Sequence, residues 1–319
     1  MSKKSNRREF LRTAGITATT GLMATATPAA AQTQRATPIS KAARLRQLLQ
    51  RQEPFYCINA FDGPSARLIE LSGFDSVWVG GSVVAMERGL PDWGMTSTQE
   101  LLDFAIRIAN NVDIPTIADC DNGGGSPVTV YRATKDFERA GLAGMLIEDR
   151  IRLERIGEDA GVIPTAQMVD RIRAAVDARS DMAIIARSDA LAADLTLEQA
   201  IERGKAYCEA GADAILYPGV QPIETTRRAA AALPKPLLSQ MGADRSAAEA
   251  IKAGAHVLFY TSMVHDIALA AYLQGLTELK TTGTMSKTYN AHRLPNGMTS
   301  QLERADEILQ RAKKYKTAP

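Results

Sequence analysis

The sequence predicts a TIM-type (β/α)8 barrel, an α/β fold in which eight parallel strands alternate with helices. Eight short apolar or β-branched runs recur along the chain, separated by stretches whose apolar residues follow the helical period. The runs are too uniformly apolar to keep one face in water, which is typical of a parallel sheet covered by helices. The predicted strands are Phe55–Ala60, Phe74–Gly80, Pro115–Asp121, Gly144–Asp149, Met182–Asp189, Ala214–Gly219, Pro236–Met241 and His256–Thr261.

The segments between these runs predict helices, often closed by glycine. The clearest amphipathic stretches are Ser97–Asn111, Val128–Ala140, Thr165–Ala178 and Leu197–Ala210, and a basic helix is expected near Lys41–Arg51. The predicted organisation is an export signal at 1–31, a linker with an N-terminal helix at 32–54, the barrel at 55–280 and a helical tail at 281–319.

Composition excludes several functional classes. The chain has 319 residues, 45% of them hydrophobic, and its 38 basic and 36 acidic residues nearly cancel. A balance of this kind does not predict a nucleic-acid partner. The three cysteines form no CxxC pair, so we expect neither a disulfide framework nor a thiolate zinc site.

Residues 1–31 have the three zones of an export signal: a basic start, a mild apolar run and a small-residue end at Ala31. The segment Asn6-Arg7-Arg8-Glu9-Phe10-Leu11-Arg12 resembles the twin-arginine signal. The alternative is a basic amphipathic helix or a short membrane anchor, although the apolar zone is too short and too weak to span a bilayer. We therefore expect export by the twin-arginine machinery, cleavage after Ala31 and a periplasmic mature protein.

Acidic residues follow three successive predicted strands. Asp119 and Asp121 come at the end of the third and Glu148 at the end of the fourth, and Asp189 follows Arg187 at the end of the fifth. Barrel enzymes place their chemistry at these carboxyl ends, so we expect the carboxylates of Asp119, Asp121 and Glu148 to gather around one point. Mg²⁺ relieves the resulting repulsion and accepts one or two carboxylates together with waters and substrate oxygens. Arg187 is then placed to bind the carboxylate of an anionic substrate.

Structural alternatives apply to several of these residues. Asp149 and Asp189 follow strands and are candidates for capping the next helix. Arg187 is also a candidate for a structural ion pair within the acidic cluster. The loop from Arg150 to Gly161 is rich in charge, and it is either a solvated connection or a lid to which Arg152 or Arg155 contributes a cation.

Six segments of the chain form a recognisable set: Gly80-Gly81-Ser82, Gly89-Leu90-Pro91-Asp92, Ala118-Asp119-Cys120-Asp121-Asn122-Gly123, Ile147-Glu148-Asp149, Met168 to Ala175 and Ala186-Arg187-Ser188-Asp189-Ala190. With these segments the chain resembles, between about residues 55 and 279, the isocitrate lyase/phosphoenolpyruvate mutase superfamily. The resemblance implies a barrel whose eighth helix is exchanged between subunits of a homotetramer.

The resemblance also implies roles for individual residues. Asp119 matches the residue that binds Mg²⁺, with Mn²⁺ as an alternative ion, and Asp121 and Glu148 match its water-mediated shell. The Gly80-Gly81-Ser82 turn matches the substrate-binding turn. The remaining two predicted site residues are Arg187, which matches the arginine that positions substrate and transition state, and Asp92, which matches an acid close to the substrate.

Four positions depart from the pattern of the carbon–carbon lyases and decarboxylases. Ile156 stands where the lyases carry the cysteine that protonates the enolate, and Gly219 stands where they carry a glutamate. Ser262 stands where the related oxaloacetate decarboxylases carry a histidine. Gly124 replaces a Tyr or Phe, which predicts a wider site. The chain is therefore assigned to a branch that lacks this cysteine.

The function implied is a Mg²⁺-dependent carbon–carbon lyase or decarboxylase that cleaves a 2-hydroxy or 2-oxo di- or tricarboxylate through a pyruvate-type enolate. A general acid as specific as the lyase cysteine is not needed for decarboxylation, so its loss leaves that reaction open. The alternatives are mutase or hydrolase chemistry on a phosphonopyruvate-like carbon–phosphorus bond, and a non-catalytic periplasmic protein that binds carboxylates.

Overall fold

In the computed structural model, which describes residues 39–151 and 161–315, eight parallel strands close into one barrel in sequence order. Every strand lies within its predicted run, which confirms the predicted fold. The register aligns Asp119 with Leu146 and Glu148 with Arg187. The strands are β1 (Phe55–Asn59), β2 (Ser76–Val79), β3 (Thr116–Asp119), β4 (Gly144–Glu148), β5 (Ala183–Arg187), β6 (Ala214–Leu216), β7 (Leu237–Gln240) and β8 (Val257–Tyr260).

Helices follow the strands and cover the barrel. The four clearest helix predictions agree with the structure to within two residues at each end. The helices are α1 (Lys41–Gln50), α2 (Gly63–Leu71), α3 (Gly81–Glu87), α4 (Thr98–Ala109), α5 (Pro127–Arg139), α6 (Thr165–Ala178), α7 (Leu197–Glu209), α8 (Ile223–Ala232), α9 (Ala247–Lys252), α10 (Met263–Thr282), α11 (Ser286–His292), α12 (Met298–Leu302) and α13 (Ala305–Lys314).

Local sequence fixes where several helices begin. The Ser97 side chain accepts a hydrogen bond from the Glu100 amide at the start of α4, and the Glu100 carboxylate accepts one from the Ser97 amide. The same reciprocal capping box starts α2, α5 and α7. Each box satisfies backbone N–H groups that have no partner within the helix. Each box therefore fixes the residue at which its helix begins.

Helix α1 closes the amino-terminal mouth of the barrel. Leu45, Leu48 and Leu49 belong to the apolar cluster that fills the barrel interior. Gly144 admits this packing, because a Cβ at that position would lie 2.8 Å from Leu45 Cδ2. The ring of His256 at the start of β8 bonds the Leu48 carbonyl at 2.9 Å. Only the carboxyl-terminal mouth of the barrel therefore stays open, and a functional site can form there.

The segment after β8 packs little against its own barrel. Of the 20 residues of α10, Gly275 is buried, whereas Ile267, Tyr272 and Leu273 are each about two-thirds exposed. Among the described residues no helix combines the length and apolarity needed to cross a membrane. The predicted signal at 1–31 lies outside the described residues.

Candidate active site

A cavity of about 380 Å³ opens at the carboxyl ends of the strands. Its floor is apolar and its rim is charged or polar, as expected for a small-molecule site on this fold. Among the described residues its lining comprises Trp78, Gly80, Gly81, Ser82, Asp92, Asp119, Leu146, Arg150, Arg187, Asp189, Ala192, Leu216, Pro218, Gly219, Gln240, Phe259, Thr261 and Ser262.

Asp119, the last residue of β3, is buried and faces this cavity. Its Oδ2 accepts a hydrogen bond from the Gly81 amide at 3.1 Å, and its Oδ1 accepts one from the Asp121 amide at 3.1 Å. Burial raises the pKa of Asp119, although Arg187 and these two amides oppose the rise. The carboxylate is therefore positioned rigidly at the cavity wall but is costly to ionise.

Asp121 lies behind Asp119 on a strained turn. Its φ of 48° lies in the left-handed region, which is unfavourable for a residue with a side chain. A methyl group built on Gly81 would lie 3.3 Å from Asp119 Oδ2 and 3.5 Å from Asp121 Oδ1, so both carboxylates face the same backbone. Burial, Asp119 and Glu148 raise the pKa of Asp121 to about 8. This is the like-charge repulsion that the sequence predicts.

Glu148, the last residue of β4, is buried and forms an ion pair with Arg187 at 2.9 Å. Burial raises the pKa of Glu148 to about 7, although Arg187 opposes the rise. Burial disfavours the charged form of Arg187, but Glu148 and Asp189 raise its pKa above the usual value. The arginine is thus a permanent cation bound to carboxylates on two sides.

Asp189 joins two arginines. Its Oδ1 accepts a hydrogen bond from Arg187 Nη2 at 2.9 Å and one from Arg150 Nη2 at 2.5 Å. Burial raises the pKa of Asp189, but the two arginines outweigh it and hold that pKa below its usual value. Its Oδ2 is buried without a hydrogen-bond partner. The expectation that Asp189 caps a helix is therefore wrong, because its side chain belongs to an ion-pair network.

Asp149 is not a helix cap either. Its fully buried carboxylate accepts hydrogen bonds from the Ser188 hydroxyl at 2.8 Å, the Asp189 amide at 2.8 Å and the Tyr207 hydroxyl at 2.7 Å. Arg203 of α7 donates from Nη2 at 2.9 Å. A buried carboxylate needs such full pairing to remain charged. The network ties the ends of β4 and β5 to α7 and fixes the residues that follow Glu148 and Arg187.

The structure brings most of the predicted site residues together. Gly80, Gly81, Ser82, Asp92, Asp119 and Arg187 line the cavity. Asp121 and Glu148 do not line it, and they act from behind Asp119 and Arg187. Ile156, Arg152 and Arg155 lie outside the described residues.

Gly124 does not face the central cavity. Its φ is 83°, and a Cβ added there would lie 3.0 Å from the Thr129 side chain. It lines a separate cavity of about 280 Å³ between α4 and α5. The prediction that this glycine widens the substrate site is therefore wrong, because the space it opens lies outside the barrel.

The wall formed by β6, β7 and β8 is uncharged. The Gly219 amide donates to Gln240 Oε1 at 2.9 Å, and Gln240 Nε2 lies 3.4 Å from the Thr261 hydroxyl. Ser262 completes this wall. The sequence gives no role to Gln240 and assigns Arg150 to a loop. The signal for Arg150 is its position directly after Glu148-Asp149, where β4 ends.

Within the described residues, no group of three or more His, Cys, Asp or Glu side chains is placed to hold a metal ion by itself. The expectation that three carboxylates meet at one point is thus too simple, since only Asp119 of the three reaches the cavity. The set still fits Mg²⁺, which takes one or two carboxylates and otherwise waters and substrate oxygens. Burial is the largest cause of the raised pKa values of Asp119, Asp121 and Glu148, and a bound cation would favour their charged forms.

A closed barrel with acidic residues and an arginine at its strand ends defines a barrel enzyme for small anions. A sequence profile described as phosphoenolpyruvate phosphomutase matches residues 45–280. The chain belongs to this family, which is part of the isocitrate lyase superfamily. The prediction of an enzyme of this family is confirmed.

Individual relatives carry several activities. A 2-methylisocitrate lyase from Shewanella oneidensis is 38% identical over 203 residues, covering 62% of this chain and 69% of the relative. An oxaloacetate decarboxylase from Chromohalobacter salexigens is 38% identical over 197 residues, covering 60% of this chain and 68% of the relative.

Solved structures with the same fold include two with carboxylate ligands. An oxaloacetate acetylhydrolase in complex with the inhibitor 3,3-difluorooxalacetate has a TM-score of 0.78 and 31% identity, covering 88% of this chain and 98% of its own. A phosphonopyruvate hydrolase complexed with oxalate and Mg²⁺ has a TM-score of 0.77 and 27% identity, covering 86% of this chain and 99% of its own.

The carboxyl groups predict how stability depends on pH in the absence of metal. In the unfolded chain they ionise near pH 4, whereas in the fold the pKa is about 8 for Asp121 and about 7 for Glu148. The folded state keeps protons that the unfolded state releases. Its stability is therefore highest at low pH within this window and falls as pH rises from about 4 through about 8.

Urea unfolding midpoints at about pH 5 and about pH 8.5, with a metal chelator present, test this dependence. We expect a lower midpoint at the higher pH, a smaller difference in Asp121→Asn, and an unchanged difference in Asp170→Asn, whose side chain is 62% exposed on α6. Added Mg²⁺ should raise the midpoint at pH 8.5. If the two midpoints differ by the same amount in wild type and in Asp121→Asn, the raised pKa of Asp121 is contradicted.

Proposed function

We propose that this chain is a Mg²⁺-dependent carbon–carbon lyase or decarboxylase that acts on a 2-hydroxy or 2-oxo di- or tricarboxylate through a pyruvate-type enolate. The observation that carries the proposal is the position of Asp119. Its buried carboxylate reaches one cavity together with Ser82 and Arg187. The two named relatives that act as a lyase and as a decarboxylase support the same reaction class.

Asp119 would hold the metal, and Asp121 and Glu148 would bind its waters. When bound, Mg²⁺ supplies positive charge beside the oxygen on which the enolate charge develops. Repulsion among the three carboxyls, seen in the pKa of Asp121, is the physical reason for the ion. The phosphonopyruvate hydrolase structure with oxalate and Mg²⁺ supports this choice of metal.

The chain's own residues bind and orient the substrate. The Ser82 hydroxyl lies at the cavity wall beside Gly80 and Gly81, where it can donate to a carboxylate oxygen. Arg187 faces the same space with a guanidinium that Glu148 and Asp189 hold in place, so that it stabilises developing negative charge without reorganising. In the lyase reaction Asp92 would take the hydroxyl proton, and the hydroxyl oxygen would become the carbonyl of the 2-oxo product. The electron pair of the broken carbon–carbon bond would leave on the departing group as an enolate, which then takes a proton from solvent.

The cavity floor excludes water from the reacting centre. Trp78, Leu146, Leu216 and Phe259 form this floor, and Trp78 and Phe259 pack edge to face with ring centroids 4.9 Å apart. Aromatic packing of this kind keeps a rigid apolar surface. A low-dielectric floor strengthens the interactions of the charged rim with an enolate.

Turnover assays with purified mature protein test the proposed reaction. With Mg²⁺ present, we expect at least one of oxaloacetate, 2-methylisocitrate and 2,3-dimethylmalate to be cleaved. The variant Asp119→Ala should lower that activity by at least about 100-fold, because the loss of even an outer metal contact costs about 10- to 100-fold. The exposed Asp170→Ala is the matched control and should retain wild-type activity.

Three outcomes would contradict the proposal. Turnover of phosphonopyruvate alone would assign carbon–phosphorus chemistry, and saturable binding of 2-oxo acids without turnover would assign a carboxylate-binding protein. Full activity of Asp119→Ala would remove the metal assignment.

We also propose export to the periplasm by the twin-arginine route. The support is the segment Asn6-Arg7-Arg8-Glu9-Phe10-Leu11-Arg12 and the small residues up to Ala31. This route carries folded proteins, which suits an enzyme that must fold before it leaves the cytoplasm.

We further propose that the protein is a homotetramer in which α10 packs against a neighbouring subunit. Its support is the apolar surface of α10, where Ile267, Tyr272 and Leu273 are each about two-thirds exposed. Exposed apolar side chains grouped on one helix often mark a surface that packs against another protein.

Both proposals are tested on protein recovered from the periplasmic fraction. We expect the mature chain there, with a molar mass by light scattering about four times that of one chain. Replacing Arg7 and Arg8 by lysine should retain the protein in the cytoplasm. Periplasmic protein from the lysine variant would contradict the route, and a monomer would contradict the assembly.

A further inference from the structure

Arg150 stands at a rigid point of the backbone at the edge of the cavity. It follows β4 and forms an antiparallel bridge with Val162, and the flanking bonds join Ile151 N to the Gly161 carbonyl at 3.0 Å and Ile163 N to the Asp149 carbonyl at 2.8 Å. These backbone hydrogen bonds therefore fix the Cα of Arg150, although the residue stands at the start of the long connection between β4 and α6.

The side chain of Arg150 turns inward. It lines the cavity and is 15% exposed. Its Nη2 donates to Asp189 Oδ1, while its Nε is buried without a hydrogen-bond partner and lies 3.9 Å from Glu148 Oε1. A buried guanidinium N–H without a partner is costly, so this side chain has unused capacity to bind an anion.

Arg187 differs from Arg150 in its terminal nitrogens. Its Nε is also buried without a hydrogen-bond partner, but its Nη1 pairs with Glu148 and its Nη2 with Asp189, each at 2.9 Å. Arg150 shares the same Asp189 oxygen, so Asp189 stays paired with Arg187 if Arg150 moves to another anion. The two arginines are therefore not equivalent, and Arg150 is the one that can be released.

Charge in the cavity limits what can bind a second anion. Among the described residues that line it, Arg150 and Arg187 are the only cations, Asp92, Asp119 and Asp189 are acidic, and the β6–β8 wall offers only the neutral Gln240, Thr261 and Ser262. A carboxylate remote from the 2-oxo or 2-hydroxy group needs a cation for charge compensation.

We propose that Arg150 is the specificity residue that binds the second carboxylate of the substrate, exchanging its bond to Asp189 for one to that group. This inference rests on the proposed function, because it assumes that Asp119 and Arg187 hold the 2-oxo or 2-hydroxy end. It commits the enzyme to substrates with at least two carboxylates. Arg150 thereby discriminates a dicarboxylate from its monocarboxylate analogue.

Two probes that differ by a carboxylate remote from the metal end test this assignment, because both carboxylates of oxalate lie at that end. Oxalate occupies the end near the metal only, whereas 3,3-difluorooxalacetate adds a remote carboxylate. Calorimetry with Mg²⁺ measures the Kd of each for wild type, Arg150→Gln and Arg150→Lys. The matched control is Arg132→Gln, which removes the same charge from a side chain that is 85% exposed on α5.

We expect Arg150→Gln to weaken 3,3-difluorooxalacetate by about 10- to 100-fold, the worth of one charge-assisted hydrogen bond, and to change oxalate binding by less than about threefold. Arg150→Lys should recover part of the loss, and Arg132→Gln should match wild type for both probes. Thermal unfolding of each variant checks that the fold is retained.

An equal loss for both probes in Arg150→Gln would overturn the proposal, because it would show that the residue only supports Arg187. Unchanged binding of both would also overturn it. If wild-type protein with Mg²⁺ binds oxalate but binds 3,3-difluorooxalacetate no more tightly, this inference alone is contradicted. Wild-type protein that binds neither probe would contradict the proposed function and, with it, the inference.

Discussion

The structure depends on how negative charge is compensated at one end of the barrel. The ends of β3, β4 and β5 bring Asp119, Glu148 and Asp189 together, and Asp121 adds a fourth carboxyl behind them. Two arginines offset part of this charge, while burial and the neighbouring carboxylates raise the pKa of Asp121 to about 8. The proposed divalent cation would offset the remaining negative charge and would allow an anionic substrate to bind beside it.

The rest of the fold holds these charges in place. Helix α1 closes the opposite mouth, so that the barrel interior is a packed core and the site has a firm floor. The buried Asp149–Arg203 pair ties the strand ends that carry Glu148 and Arg187 to α7. Removing one partner of such a pair costs about 3–5 kcal/mol. Precision at the site therefore depends on residues that never touch the cavity.

Much of this could be predicted from sequence, because strand ends are visible in the hydrophobic pattern. Asp119 and Arg187 each end an apolar run, and parallel strands in a barrel bring such ends together. The pattern does not give side-chain directions or distant partners. Asp149 and Asp189 were therefore expected to be helix caps, although their partners include Arg203, which lies 54 residues from Asp149, and Arg150. Gly124 was placed in the wrong cavity because its positive φ is not visible in sequence.

Direct measurement of metal binding tests the charge-compensation account most sharply. Mn²⁺ has an electron paramagnetic resonance signal that falls when the ion binds, and it stands in for Mg²⁺ at oxygen sites. We expect a single Mn²⁺ to bind each chain, Asp119→Asn to weaken it by at least about tenfold, and Asp170→Asn to leave it unchanged. Equal Mn²⁺ affinity in wild type and Asp119→Asn, or no binding to wild type, would contradict the central role of these carboxylates.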